Sequence, residues 1–338
     1  MLRPENPEQL AALLRETASA HRTIRLGGAF SKDRLGAVPT PADVTISTSS
    51  MNRLLQYEPR DLTISVEAGM PFSELTRLLA DQHQMLPLDP PWLRESTVGG
   101  VLATNLSGPR RRLYGTARDM VIGMTFATLE GKLINSGGMV VKNVAGLDMA
   151  KLMIGSFGTL AAIATVNFKV FPAPAATRDF VMEFATAAEA FDERDRILNS
   201  VLQPAAIDIV NWPRGFRLLV RASGNDAVLA RYARELPQAR AGSDDEWDAI
   251  CEFSHRFLAA NPAAKVVPMT MPLSKMCAAA ETLNVPFIAR AGSGVMYAHH
   301  ALDAPETPLS GDFATMTKVK EMFDPERLLN RGRLHGRI

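Results

Sequence analysis

The sequence predicts an α+β protein built in two units, and three observations predict it. Short strand-like and helical runs alternate through the first half, separated by glycine and proline turns. After the alternating Val166-Asn167-Phe168-Lys169-Val170-Phe171 comes Pro172-Ala173-Pro174-Ala175-Ala176, a stretch that suits a boundary. Beyond it the elements are longer and better separated, and the strand-like runs read as a mainly antiparallel sheet with helices beside it. At 338 residues the chain has room for two units, divided as 1–174 and a smaller 175–338.

Asn6 is suited to cap a first helix, with Pro7 in the first helical position, Gln9 closing back on the cap, and Leu10, Leu13 and Leu14 at helical spacing. Thr23-Ile24-Arg25-Leu26 alternates polar and apolar side chains and runs into Gly27-Gly28-Ala29-Phe30-Ser31-Lys32, a glycine turn ending in a hydroxyl and an ammonium. Strands are expected at 44–47 and 62–66. A helix from Pro71 carries Leu75, Leu78 and Leu79 on one face. In the second unit Thr186 and Glu189 make a capping-box pair ahead of a helix, and 206–210 and 216–220 read as paired strands. A long helix then carries Trp247, Ile250, Phe253, Phe257 and Leu258 on one stripe, and further strands are expected at 265–268 and 285–289.

Composition mainly excludes. Hydrophobic residues are 46% and charged residues 22%, enough apolar material for a core and too much for a disordered chain. The 37 Lys+Arg against 36 Asp+Glu leave a net charge of +1, which argues against nucleic-acid binding by bulk charge and against a polybasic membrane anchor. Two cysteines, Cys251 and Cys277, cannot supply the four thiolates of an iron–sulfur cluster or a zinc ribbon. The first eight residues have acids and prolines where a signal peptide needs a basic start and an apolar run, and no stretch approaches 18 consecutive apolar residues. The expectation is a cytoplasmic protein with no direct transmembrane insertion. Of 23 glycines, 15 lie between Gly27 and Gly158, so close approach of backbone to a bound group is expected in the first half.

Three segments of that half are dense in small residues. Gly27 to Lys32 exposes successive backbone N–H groups that can gather an anion such as a pyrophosphate, with Ser31 and Lys32 adding a donor and a charge. Taken alone it also reads as a plain tight turn, being neither a Walker A loop nor a G-x-G-x-x-G turn. The second segment runs from Pro87-Leu88-Asp89-Pro90-Pro91 into Ser96-Thr97-Val98-Gly99-Gly100-Val101-Leu102-Ala103-Thr104-Asn105-Leu106-Ser107-Gly108. There Gly99 and Gly100 let backbone come close to a planar ligand, while Thr104, Asn105 and Ser107 offer short donors. The third runs from Gly137 through Lys142 and Asp148 to Gly155-Ser156-Phe157-Gly158-Thr159-Leu160. Close helix–strand packing accounts for any one of them; three in this order point to a ligand.

The order of these motifs, with Arg112-Leu113-Tyr114-Gly115-Thr116-Ala117-Arg118-Asp119 between the second and third, resembles the FAD domain of the vanillyl-alcohol-oxidase superfamily, the PCMH-type FAD-binding fold. Within it the chain is most similar to the E-type FAD subunits of bacterial glycolate oxidases. The resemblance covers about residues 5–172, and Phe323-Asp324-Pro325-Glu326-Arg327-Leu328-Leu329-Asn330 is similar to the family's closing motif. It implies a two-subdomain FAD-binding domain followed by a reduced α+β cap-like domain, with 323–338 returning towards the flavin. It also implies that Gly27, Gly28, Ala29, Phe30, Ser31 and Lys32 hold the FAD diphosphate. Pro90, Ser96, Thr97, Gly99, Gly100, Thr104, Asn105, Ser107 and Gly108 would lie along the flavin and its ribityl chain. Gly115, Thr116, Asp119, Lys142, Gly158, Ala162 and Ile163 would complete the adenine and ribose side. Leu147 and Ala161-Ala162 depart from the family's Tyr and Gly-Ile. No His or Cys stands in Gly27 to Ser31 or Ser96 to Gly108, where covalent members carry one, so non-covalent FAD is expected.

Oxidation of a 2-hydroxy acid needs a base or Lewis acid at the hydroxyl, a cation for the carboxylate and the flavin as hydride acceptor. Related dehydrogenases carry Gly-His-x-Gly-Asp-Gly-Asn-x-His in the second domain. The corresponding residues 289–297 have Arg290 and Tyr297 at the histidine positions and Ser293 and Val295 for the Asp and Asn, so no metal site is expected. Adjacent His299 and His300 would point to opposite faces of a strand, a poor chelate, and read as a solvated pair. Arg112 matches a family position, whereas Arg110 and Arg111 read as surface charges or partner contacts. The resemblance implies an FAD-binding subunit of a complex that oxidises a small 2-hydroxy acid. Its partners would be a larger catalytic flavin subunit and an iron–sulfur subunit, and it would lie peripheral to the inner membrane through them. The alternatives are a self-sufficient FAD-dependent 2-hydroxy-acid dehydrogenase using Arg290 and Tyr297, and a flavin-free assembly subunit.

Overall fold

Pairing of the short strand Ile24–Gly27 with Val44–Ser47 is parallel, and isolated bridges extend it on both sides, Leu2 to Ile46 and Leu329 to Ile24. The N-terminal residues and the C-terminal closing motif thus share one small parallel unit. The structure, a computed structural model, describes residues 1–140, 147–302, 304–305, 312–334, 336 and 338. The helix Pro7–Ser19 packs Leu10 and Leu14 against this unit. Its Asn6 cap accepts from Gln9 N at 2.8 Å as expected, but the Gln9 side chain accepts from Glu5 N at 2.9 Å and not from the cap residue itself.

A five-stranded antiparallel sheet completes the first half, in the order Leu54–Glu58, Thr63–Glu67, Ala162–Lys169, Val121–Ala127, Leu133–Gly137. The helix Phe72–Ala80 buries Phe72, Leu75 and Leu79 against Val66, Val166 and Phe168. Gly99 and Gly100 lie in a seven-residue helix, Val98–Thr104, capped by Thr97.

The chain crosses into a seven-stranded sheet at Ala176–Phe184. Its order is Arg240–Ala241, Ala176–Phe184, Phe216–Gly224, Ala206–Val210, Phe287–Arg290, Val295–His300, Lys265–Thr270, with every pairing antiparallel. Both faces are covered, which explains why its strands carry apolar residues at successive positions. Ile207, Ile209, Leu218 and Val220 face the helices Ala187–Leu198 and Asp226–Glu235. Ala206, Val210, Leu219 and Ile288 face Trp247 and Ile250 of the long helix Asp244–Ala260. The Thr186–Glu189 capping box forms as expected. Val295–His300 is a strand, as the reading of His299 and His300 assumes.

Leu35, Trp92, Leu106 and Phe157 from the first half meet Phe257, Leu258, Ala264 and Val266 from the second in a shared apolar cluster. Arg34 reinforces the join at the C-terminus of the long helix, donating to the carbonyls of Leu258, Asn261, Pro262 and Ala264. Among the described residues no helix is long and apolar enough to cross a membrane.

Candidate functional site

A cleft enclosing about 670 Å³, partly open to solvent, runs along the first half. Its floor and walls come from the loop after Ile24–Gly27, the Thr97-capped helix, and Phe157, Gly158, Ala161 and Ile163. Local sequence dictates the shape. Ser47 Oγ donates to Gly28 O at 2.7 Å, tying the loop to the neighbouring strand. A Cβ at Gly28 would overlap Thr97 Oγ1, and one at Gly27 would lie 2.6 Å from the Phe30 ring, so both glycines let protein meet protein. Gly100 differs: its nearest neighbour in the Cβ direction is Thr97 Oγ1 at 3.2 Å. Gly158, at φ +66°, makes room for Asn330 Nδ2.

Charge in the cleft is mostly positive. Lys32 is buried, its Nζ donating to Ser96 Oγ, and burial pulls its pKa down to about 7 against the opposing pull of Glu252 and Glu95. Asp33 is the one carboxylate lining the cleft among the described residues, and it is shared between Arg25 and Arg333. Arg333 lines the cleft too, arriving from the closing segment of the chain.

Of the residues singled out in the sequence, Gly27, Gly28, Ala29, Phe30, Ser31, Lys32, Thr97, Gly99, Gly100, Thr104, Gly158 and Ile163 line this cleft. Ser96 stands just behind it through Lys32. The others lie elsewhere. Ala162 is buried in the core beside the first helix, and Pro90 is buried outside the cleft lining. Asn105 ends its helix at φ 50°, and Ser107 Oγ accepts from Arg111 at 3.2 Å. Gly108 N donates to Leu88 O at 2.6 Å. Gly115, Thr116 and Asp119 form a capping unit away from the cleft, Thr116 N donating to Asp119 Oδ2 at 2.8 Å. Lys142 lies outside the described residues. Leu26, Asp33, Thr48, Ala103 and Arg333 are lining residues the sequence did not suggest.

The second half offers less chemistry than its sequence positions suggested. Arg290 is 4% exposed and forms an ion pair with Asp208, itself 0% exposed. Burial pushes the Asp208 carboxyl up to about 6, with Arg290 pulling it back. Tyr297 lies alongside, 5.9 Å from the Arg290 guanidinium. His299 is not solvated: it is fully buried, 2.9 Å from Ser254 Oγ, and burial lowers its pKa to about 4. Only His300 lies on the more open face, as strand alternation requires. Arg110 is likewise no surface charge but binds Asp89, while Arg112 reaches across to Pro204 O at 3.2 Å. Where the halves meet, Glu95, Glu252 and His255 place ligand-type atoms within 4.8 Å of one another, with Glu252 accepting from Trp92 N and Leu93 N.

Residues 1–137, which supply most of the cleft, match the family described as FAD binding domain. The chain is similar to glycolate oxidase subunit GlcE of Escherichia coli (strain K12), 28% identical over 98% of both chains. It is also similar to glycolate oxidase subunit GlcD of Bacillus subtilis (strain 168), 28% identical over 63% of this chain and 45% of the relative. D-lactate dehydrogenase of Anaerostipes hadrus is 29% identical over 60% of this chain and 42% of its own length. The chain thus spans under half of the latter two. Among solved structures, alkyldihydroxyacetonephosphate synthase superimposes with a TM-score of 0.75 at 19% identity, over 97% of this chain and 75% of that one, a likeness of fold. The cleft suits the family's cofactor, since it pairs an open backbone face at Gly100 with an excess of buried cations for a diphosphate. The matched residues 1–137 thus form an FAD-binding domain, and FAD is its cofactor.

Proposed function

We propose that this chain is the FAD-holding subunit of a glycolate oxidase-type complex, acting on a small 2-hydroxy acid together with a larger catalytic flavin subunit and an iron–sulfur subunit. The observation that carries this reading is the locked Arg290–Asp208 pair. The cation that stands where dehydrogenases carry a ligating histidine is buried and neutralised, so it is not free to receive a substrate carboxylate. Likeness to GlcE along the full length supports the same reading. Two cysteines in 338 residues put any iron–sulfur relay on another chain.

In this reading residues 1–174 form the FAD-binding domain and 175–338 a reduced cap-like domain whose last segment, 323–338, returns to the cofactor. The diphosphate lies against Gly27 to Lys32, and Thr97, Gly99, Gly100, Thr104, Gly158 and Ile163, which line the same cleft, support the rest of the cofactor. The FAD is held non-covalently. Both cysteines lie in the second half, and burial pushes the Cys251 thiol up to about 12, far from a reactive thiolate. The complex is cytoplasmic and meets the inner membrane through the partners. When bound, FAD supplies a two-electron acceptor; the chain's own residues bind and orient it.

Purified protein is expected to be yellow and to release its flavin on acid precipitation. Anaerobic mixing with glycolate or D-lactate should leave the isolated chain's flavin oxidised, while the chain co-purifies from native cells with an iron–sulfur protein. Rapid bleaching of the isolated chain, or purification free of partners, would overturn the subunit reading.

A further inference from the structure

Arg333 is 7% exposed and lies in the wall of the cleft. One terminal nitrogen, Nη1, donates to Asp33 O at 2.9 Å, Leu35 O at 2.8 Å and Ala37 O at 2.9 Å, holding the turn that follows Lys32. The other, Nη2, donates to Asp33 Oδ1 at 3.2 Å. Its face lies 5.7 Å from the Phe157 ring, which also lines the cleft. The remaining donor, Nε–H, is buried and has no hydrogen-bond partner among the described residues. A buried N–H without an acceptor is unfavourable. Arg25, Arg194 and Arg290 also leave Nε without a hydrogen-bond partner among the described residues, but of the four only Arg333 lines the cleft.

The charge tally points the same way. Lys32 and Arg333 both line the cleft, and the single lining carboxylate, Asp33, also serves Arg25. Burial depresses the pKa of Arg333, with Asp33 opposing and Arg25 adding to the shift, as expected of a guanidinium short of counter-charge. Three hydrogen bonds from the neighbouring Asn330 side chain fix the walls. Its Oδ1 accepts from Leu26 N at 2.7 Å, and its Nδ2 donates to Leu26 O at 3.0 Å and Phe157 O at 2.9 Å. The guanidinium is therefore preorganised, with its free donor and unbalanced charge in place before any ligand arrives.

We propose that Arg333 is a cofactor-binding residue: it fixes the loop after Lys32 from the far end of the chain and presents Nε–H to a phosphate oxygen of bound FAD. This rests on the reading of the cleft as the FAD diphosphate site. A phosphate oxygen, unlike the flavin ring, supplies both the acceptor and the negative charge that the wall lacks.

The test is titration of flavin-stripped protein with FAD and, in parallel, with riboflavin, which has the same ring and no phosphate. Arg333→Met is expected to weaken FAD by about ten- to a hundredfold while leaving riboflavin within about twofold. Arg333→Lys, which keeps the charge, should recover part of the loss. Equal losses for both ligands would mean that Arg333 only holds the cleft together as a whole, and no loss for FAD would mean that it does nothing there; either result overturns the proposal. If the unaltered protein binds neither ligand, the cofactor reading of the cleft fails first and the proposal falls with it. Should Arg333→Met not fold, the Nε–H resonance of Arg333 in the unaltered protein is expected to shift with FAD and not with riboflavin. An unmoved resonance overturns the proposal.

Discussion

Lys320 and Asp324 form an ion pair one helical turn apart, Nζ to Oδ2 2.6 Å, with both side chains 1% exposed. Neither charge is left short of partners. Lys320 also donates to Thr159 O at 2.8 Å and Leu329 O at 2.9 Å, and the Asp324 carboxylate accepts from Leu328 N and Leu329 N. The pair joins the last helix, Phe313–Phe323, to the segment beside Gly158 and to the bridge at Leu329. Lys320→Met strands a buried carboxylate and is expected to cost about 3–5 kcal/mol. Urea unfolding followed by circular dichroism would measure it. A cost under about 1 kcal/mol would contradict the assigned role.

Arg290→Met should behave differently in stability and in chemistry. It leaves Asp208 buried without its partner, so a loss of about 3–5 kcal/mol is expected, read as a lower Tm. The intact complex carrying it, assayed below its Tm, should keep its KM for glycolate, because the guanidinium faces Asp208 and not a substrate. A large rise in KM with little change in Tm would restore Arg290 as a carboxylate-binding residue.

With the diphosphate beside it, as proposed, Lys32 is expected to make flavin binding depend on pH. Without an anion in the cleft its pKa is about 7, below the ordinary lysine value, because burial penalises the charge. A bound diphosphate favours the ammonium, so binding above pH 7 takes up a proton and affinity falls as pH rises, approaching about tenfold per pH unit. The same depressed pKa means that the unfolded chain binds more protons between about 7 and the unperturbed value, so the flavin-free protein gains stability as pH rises through that window. Calorimetry in buffers of different ionisation enthalpy would show the proton uptake, and Lys32→Met should abolish it.

The glycines of the cleft should separate into two kinds. Gly28→Ala drives a methyl into Thr97 Oγ1 and should destabilise the protein, with Thr97→Gly as a second change restoring part of the loss. At Gly100 a methyl meets no backbone, only Thr97 Oγ1 at 3.2 Å, and the residue is helical. Gly100→Ala is therefore expected to change stability by less than about 1 kcal/mol, helix preference offsetting the crowding of Thr97 Oγ1, while weakening FAD by filling the cleft. Paired melting and fluorescence titrations would distinguish the two.

Local signals carried most of the fold. Caps at Asn6 and Thr186, alternation at Ile24, Val44 and Thr63, and the stripe through Trp247 and Ile250 each act within a few residues of themselves, and a sequence displays such spacing directly. The loop from Gly27 to Lys32 was legible for the same reason. Arg333 was not, because its importance comes from contacts about 300 residues away with Asp33 and Leu35. His299 and Arg110 were misjudged for a related reason. Their partners, Ser254 and Asp89, are set by packing between elements, and no periodicity records which polar residue will be buried beside which.

The parallel unit in which Ile24 lies between Val44 and Leu329 has a consequence for synthesis. Strand Ile24–Gly27 leaves the ribosome about 300 residues ahead of its neighbour at Leu329 and the clamps at Asn330 and Arg333. A nascent chain can fold its antiparallel sheets while the cleft still lacks one wall, so the cleft is complete only once residues 329–333 have emerged.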